Sequence, residues 1–486
     1  MTSYNQLFSL WQHWLAAAGV VLLLAATTAM GAEPQRSCRP QKARLQHPVR
    51  RAASSYAQQR YTGVRHQLVI LAAFSDQAFL SSDPLTQWNK IFNEENFSES
   101  PFYGSVHDYF LSQSYGQFQL SFDLQYVQLD ESRVKYRSTR TDDENSKYLV
   151  IDLIEALQQR DIDWSLYDWD GDGLIEQLLI VYAGKGQNDG GGSNTIWPHQ
   201  WWLSEHENVS PISLNDGQQT IDCYCCVQEL GRTGGYTTFG TICHEYSHCF
   251  GLPDFYYGAT SYIEMWDLMD YGNNGLGGYC PPNYSAHERM LMGWLTPTLL
   301  DAPCTISNIV PTSQEPQAFI IHNDAYPNEF YMVENRQKEA WDRSLPGSGI
   351  IVWHIDYDED IWTTGMPNQT GQTRYTIIPA NNRNSTYYAS GWAYPYATND
   401  QLTDTSMPAA TLQHANTNGT MLMSKPITDM QVENGIASFS FMQNMTGISI
   451  HPLSARSSQL LYEFGPIRIV RQADGTLRKQ MAKQRQ

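Results

Sequence analysis

His244-Glu245-Tyr246-Ser247-His248-Cys249-Phe250-Gly251-Leu252-Pro253-Asp254 reads H-E-x-x-H-x-x-G-x-x-D. Residues four apart share one face of a helix. His244 and His248 can therefore grip a single zinc ion from neighbouring turns. Glu245 projects beside them and can take a proton from the attacking water. Gly251 tolerates positive φ and can end the helix. The chain can then turn back beneath the metal and offer Asp254 as a third ligand, leaving one coordination position open, as catalytic zinc requires. A bare five-residue match arises by chance in a chain of this length on the order of one time in a hundred. The extension to Gly251 and Asp254 lowers that further, so a metal motif is preferred to a buried helix with two satisfied histidines. Asp267, Glu264 and Glu288 remain alternative sources of the carboxylate. A glutamate on a downstream helix would be the thermolysin-like solution.

Two further stretches carry chemistry. Trp266-Asp267-Leu268-Met269-Asp270-Tyr271 follows the motif by about twenty residues. In metzincins a methionine turn passes under the metal, and Met269 is the candidate here. Tyr271 could donate a hydrogen bond to a developing oxyanion. A core methionine and an ordinary tyrosine are the bland alternatives. Asp168-Trp169-Asp170-Gly171-Asp172-Gly173 is D-x-D-x-D-G. Asp168, Asp170 and Asp172 can converge on calcium, with Glu176 near enough to contribute. The twelfth position of a full calcium loop is Leu179, so the alternative is an acidic turn before a strand.

Organisation follows from the pattern of apolar residues. Residues 67–74 form an apolar run suited to a buried strand, and residues 178–182 another. Residues 106–114 suggest a short helix and residues 118–129 alternate like strands. Residues 145–159 carry Leu149, Leu153, Ile154 and Leu157 at helical spacing. This alternation predicts an α/β catalytic domain over residues 65–300. Short strand-like runs at 319–322, 330–334, 349–355, 375–379 and 436–441 predict a β-rich domain over 301–443. A β tail follows at 444–486, with a hairpin turning at Ala473-Asp474-Gly475.

The N-terminal 64 residues are read separately. Residues 14–28 are mostly apolar and Ala29-Met30-Gly31 offers small residues for cleavage, so 1–31 is expected to be a signal peptide. No Lys or Arg precedes the run, which keeps a retained anchor as the alternative. Residues 32–64, with Pro34, Pro40, Pro48 and the pair Arg50-Arg51, read as a pro-segment or linker. Cys38 within it could occupy the metal's open position until removal, or be a thiol or disulfide of no such use. The formal charge of −19 disfavours nucleic acid and anionic lipid as partners. No later segment is apolar enough for stable membrane insertion after signal cleavage. Eight cysteines in an exported chain are expected to serve as disulfides.

With these residues in place the chain resembles the immune inhibitor A family of secreted bacterial metallopeptidases, over roughly residues 65–443. The likeness includes the strand at 68–74, Gly104-Ser105-Val106-His107-Asp108-Tyr109-Phe110, Ser114-Tyr115-Gly116, the 167–173 loop and Ile196-Trp197-Pro198. It is strongest at His244 to Asp254 and at Trp266-Asp267-Leu268-Met269. Glu334-Asn335-Arg336-Gln337 and Leu345-Pro346-Gly347-Ser348-Gly349 extend it. The resemblance implies an α/β zincin (metzincin-like) catalytic domain, with a mixed twisted sheet and an active-site helix. It also implies zinc-dependent endopeptidase activity on proteins or peptides, secretion and synthesis as a zymogen. His244 and His248 match the family's zinc ligands and Glu245 its general base. Gly465-Pro466-Ile467-Arg468-Ile469-Val470-Arg471 is similar to the end of a type IX sorting tail, which would make secretion machinery a partner. The rival readings are a silent zincin-fold binding or adhesion protein, and a zinc amidase acting on cell-wall material. Loss of Glu245 or of either histidine would have favoured the first, but all three are present.

Overall fold

The computed structural model describes residues 61–138, 145–236, 239–363, 365–369 and 371–443, and the backbone of three strands beyond them. The expected signal peptide, the dibasic pair and Cys38 lie outside the described residues. Among the described residues, eight strands precede the metal-motif helix. They are β1 (Gly63–Ala73), β2 (Phe118–Gln128), β3 (Leu174–Ile175), β4 (Leu178–Lys185), β5 (His199–Trp202), β6 (Ile212–Leu214), β7 (Gln219–Ile221) and β8 (Cys223–Leu230). Five form a mixed sheet in the order β2-β1-β4-β8-β5. All its pairings are parallel except the last, where β5 runs antiparallel along the edge of β8. The other three make a small sheet beside it, in the order β3-β7-β6.

The run that reads as uniformly apolar in β1 does so because both its faces are covered. Val69, Leu71 and Ala73 point into the core that holds Ile242 and Tyr246 of the motif helix. Leu68, Ile70, Ala72 and Phe74 point the other way, onto Leu149, Leu153 and Ile154 of the helix Ser146–Leu157. The sheet is thus sandwiched between the two helices that periodicity predicts. Tyr61 is the first of the described residues. Tyr61 is buried against Phe118 and Phe250, and its carbonyl accepts from Trp294 Nε1 at 2.8 Å.

The helix Pro84–Asn93 was not anticipated. Its start is nevertheless marked in the sequence, because the Asp83 side chain accepts from Thr86 N and Pro84 opens the first turn. The cysteine cluster at 223–226 is a strand rather than a disulfide knot. Cys223, Cys225, Cys226, Cys243, Cys249, Cys280 and Cys304 are all thiols, and among the described residues no disulfide is formed.

The later strands are β9 (Thr298–Leu299), β10 (Cys304–Ile309), β11 (Phe319–His322), β12 (Glu329–Arg336), β13 (Gly349–Asp356), β14 (Tyr375–Ile377), β15 (Ile427–Glu433) and β16 (Ile436–Phe441). They build a five-stranded sheet, β14-β13-β12-β11-β9, and a three-stranded one, β10-β16-β15. Tyr331, Val333 and Val352 on one face of the larger sheet pack on Phe439 and Phe441 of the smaller. Met332, Ile351 and Trp353 on its other face join the core that also contains the motif helix. A single apolar core therefore runs from the first sheet into the second. Buried within this contact, Arg336 donates to both Asp342 oxygens at 2.7 and 2.6 Å. Such a bidentate pair satisfies a charge that burial would otherwise penalise. The last three strands, β17 (Gln459–Phe464), β18 (Ile467–Arg471) and β19 (Leu477–Met481), form an antiparallel sheet of their own.

Candidate metal centre

The motif helix runs Phe239–Cys249. Its approach to the following loop is set by Gly240, where an added Cβ would lie 1.9 Å from the Asn273 carbonyl oxygen. The helix ends as its sequence indicates. Gly251 adopts φ +86° and donates to the His248 carbonyl at 2.9 Å. The chain then reverses and brings Asp254 beneath the last turn. Asp254 is held from two sides. Its own N–H donates to the Gly365 carbonyl at 3.1 Å, and the next N–H, of Phe255, donates to the Met269 carbonyl at 2.9 Å.

The three polar groups converge. His244 Nε2 lies 3.1 Å and His248 Nε2 3.4 Å from the same oxygen, Asp254 Oδ1. The two imidazoles stand 4.9 Å apart at 88°. Each is locked through its other nitrogen. His244 Nδ1 donates to the Leu268 carbonyl at 2.9 Å, and His248 Nδ1 to the Leu252 carbonyl at 2.8 Å. Carbonyl oxygens only accept, so both Nδ1 atoms carry protons and both Nε2 atoms are turned inward. This second hydrogen bond is what metal-ligating histidines make. Two imidazole nitrogens and one carboxylate oxygen fit a divalent zinc ion with a position left over.

All three groups are buried. For His244, burial prevails and lowers the pKa. For His248, burial acts in the same direction but the Asp254 carboxylate outweighs it, lifting the pKa to about 9. Burial would raise Asp254, yet the His248 charge and the bonds from both imidazoles hold it well below the usual carboxylate range.

The alternative carboxylates are engaged elsewhere. Asp267 Oδ1 accepts from Met269 N at 2.8 Å and its Oδ2 from Tyr375 OH at 3.1 Å. Glu288 caps its own helix through Ser285 N at 2.7 Å. Glu264 accepts from Met265 N. Glu245, one residue after His244, is fully buried. The turn bearing Met269 touches the centre directly, because the neighbouring Leu268 carbonyl holds His244. The Tyr271 hydroxyl donates to the Ala259 carbonyl at 3.4 Å. A different tyrosine, Tyr256, stacks on the His244 ring at 6.3 Å and 22°. Sequence reasoning missed it, since no spacing rule distinguishes it from its neighbours.

The acidic loop is a second cluster. Ligand oxygens of Asp168, Asp170 and Asp172 lie within 4.8 Å of one another. Asp168 also accepts from Asp172 N and Gly173 N at 3.1 and 3.0 Å, which shapes the turn. Glu176 turns to Trp169 N at 2.8 Å.

A helix presenting two histidines and a glutamate beneath a mixed sheet, with a carboxylate on the returning loop, defines a metallopeptidase domain. Residues 62–291 match the family model described as the immune inhibitor A peptidase M6 catalytic domain. Two relatives illustrate the likeness. Immune inhibitor A of Bacillus thuringiensis subsp. alesti is 29% identical over 170 residues, covering 29% of this chain and 24% of that protein. Pre-pro-metalloprotease PrtV of Vibrio cholerae serotype O1 (strain M66-2) is 27% identical over 180 residues, covering 31% of this chain and 19% of that protein. The matches thus span about a quarter or less of these curated relatives.

Proposed function

We propose that the protein is a secreted zinc-dependent endopeptidase acting on proteins or peptides. His244, His248 and Asp254 would hold the zinc, and Met269 would lie in the turn beneath it. When bound, zinc supplies a Lewis acid that polarises the scissile carbonyl and lowers the pKa of water. Glu245 takes the proton of the attacking water and passes it to the leaving amine, a role worth about 10²–10⁴ in rate. Tyr271 would serve the oxyanion only by turning away from the Ala259 carbonyl. The observation that carries this reading is the aim of two imidazole Nε2 atoms at one carboxylate oxygen, with both Nδ1 atoms tied back. The test is cleavage of a denatured protein substrate by the purified chain, before and after chelation and on restoring zinc. Cleavage that survives complete metal removal would reject it. Zinc uptake with no cleavage would favour a silent binding protein, and cleavage confined to cell-wall amides the amidase.

Three finer readings belong to the same proposal. Asp168, Asp170 and Asp172, with Glu176 behind them, would bind calcium, which their converging oxygens support. Export is supported by the apolar run at 14–28 and by the description of the Vibrio relative as a pre-pro-metalloprotease. No helix among the described residues is long and apolar enough to cross a membrane. N-terminal sequencing of protein recovered from culture medium would locate cleavage near Gly31 and near Arg50-Arg51. The division into 65–300, 301–443 and 444–486 would be read by the sites of limited proteolysis.

A further inference from the structure

We propose that Cys223 and Cys249 are an oxidisable pair that closes into a disulfide, tying the C-terminal end of the motif helix to the central sheet. Cys249 is the last residue of that helix and Cys223 the first of β8. Their sulfurs lie 3.8 Å apart. A disulfide needs about 2.0 Å, so closure requires the Cys249 thiol to turn from the Gln177 side-chain oxygen, to which it donates, toward Cys223. Both cysteines are only partly buried, whereas Cys225, Cys226, Cys243 and Cys280 are buried. Cys223 is the thiol through which a small oxidant would enter, because the Cys249 sulfur itself is enclosed.

Cys225, two residues along the same strand face, also contacts the Cys249 thiol. That raises two other possibilities, a three-thiol metal site and a Cys225–Cys249 link. The first is not preformed. Among the described residues, only the histidine–aspartate and triple-aspartate groups bring three ligand atoms within 4.8 Å. The second is disfavoured by burial of Cys225, whose side chain is fully covered. The Cys223 sulfur, in addition, is already oriented by the Gln200 side-chain amide, which donates to it at 3.2 Å.

The chemistry is thiol–disulfide exchange with a low-molecular-weight disulfide. One protein sulfur attacks a sulfur of the oxidant, breaking its S–S bond and releasing one thiol. The second protein sulfur then displaces the remaining half, releasing a second thiol. Two protein thiols lose two electrons and the oxidant gains them. The two thiol protons pass through solvent to the two released thiolates. The new bond closes a short loop around β8 and the motif helix, and immobilises the turn that follows His248. Cross-links of this kind act largely by restricting the unfolded chain.

The test treats the zinc-loaded full chain with glutathione disulfide, blocks the remaining thiols with iodoacetamide and digests with trypsin without reduction. Residues 186–232 and 233–289 are the tryptic peptides that carry the two cysteines. The expected product is a cross-link between them whose fragment ions assign it to Cys223 and Cys249. Its formation should raise the melting temperature by about 5 °C, an increment of the size such a loop supplies in a chain this long. Cys225→Ser should keep the link and Cys223→Ser should lose it, together with the rise in melting temperature. Recovery of both peptides fully alkylated, or a link through Cys225, Cys226 or Cys243, would overturn the proposal. The peptide map of the unsubstituted protein decides the matter even if a variant fails to fold. Because it reads a covalent bond, it is independent of peptidase activity.

Discussion

His244 donates its Nδ1 proton to the carbonyl of Leu268 at 2.9 Å, across 24 residues of chain. This bond couples the motif helix to the turn that carries Met269. It fixes the tautomer of His244 and leaves its Nε2 facing Asp254. The same turn grips the residue after Asp254, because the Met269 carbonyl accepts from Phe255 N. One short turn therefore positions both sides of the centre.

Asp254→Ala is expected to weaken zinc retention more than about 100-fold, beyond what loss of an outer hydrogen-bond partner does. Asp267→Asn and Glu288→Gln should change it far less, since those carboxylates are spent on Met269, Tyr375 and Ser285. Competition with a chromophoric chelator measures the three affinities. Equal losses, or a loss confined to 267 or 288, would reject Asp254 as the third ligand.

Glu245→Gln should leave zinc bound while turnover falls by about 10²–10⁴. Glu245 follows the proposed ligand His244 in sequence but lies outside the three groups proposed to hold the ion. Zinc stoichiometry measured beside peptide hydrolysis separates the two effects. Turnover like that of the unsubstituted enzyme would remove Glu245 from the mechanism.

Gly240→Ala should destabilise the fold by about 1–3 kcal/mol, the usual cost of overpacking. The new Cβ would sit 1.9 Å from the Asn273 oxygen, forcing the helix away from the segment after Met269. Gly235→Ala is the control, because its Cβ would meet only the Tyr279 hydroxyl at 3.5 Å. Denaturant melts of the two variants should differ clearly.

Asp270 links stability to pH. Burial pushes its carboxyl up to about 7, although its Oδ2 accepts from Tyr262, Ile263 and Glu264 N–H groups. A raised folded pKa means the native state binds more protons than the unfolded one. Stability then falls as pH rises from the unfolded value near 4 to about 7, and is level above that. The contribution is roughly 4 kcal/mol at most, by the energy of a pKa shift of this size. Asp270→Asn should flatten this part of the stability–pH curve. A slope unchanged by the substitution would show that other groups set it.

Calcium should raise the melting temperature of metal-stripped, zinc-restored protein. A ligand that binds only the folded state at 100 times its dissociation constant stabilises by about 2.7 kcal/mol. Asp170→Asn with Asp172→Asn should abolish the increment. An unchanged melting curve in the parent protein would count against the site.

What the sequence determined by itself is the local geometry. Four-residue spacing places His244 and His248 on one face, and Gly251 ends the helix because only glycine enters positive φ without strain. The apolar runs of β1 and β4 mark buried strands, and the periodicity of 146–157 marks the helix that covers them. Each of these rests on covalent geometry or on burial patterns within a dozen residues. Only the tertiary structure decided which carboxylate stands beside the imidazoles. The motif spacing offered Asp254 first, with Asp267, Glu264 and Glu288 as rivals, and the four are told apart by partners such as Gly365 and Tyr375, about a hundred residues away. The same holds for Tyr256 against His244, for the thiol pair Cys223 and Cys249, and for the core shared by the two larger sheets. These contacts join segments that share no local pattern, and they exist only once the helix, the returning loop and both sheets have packed together.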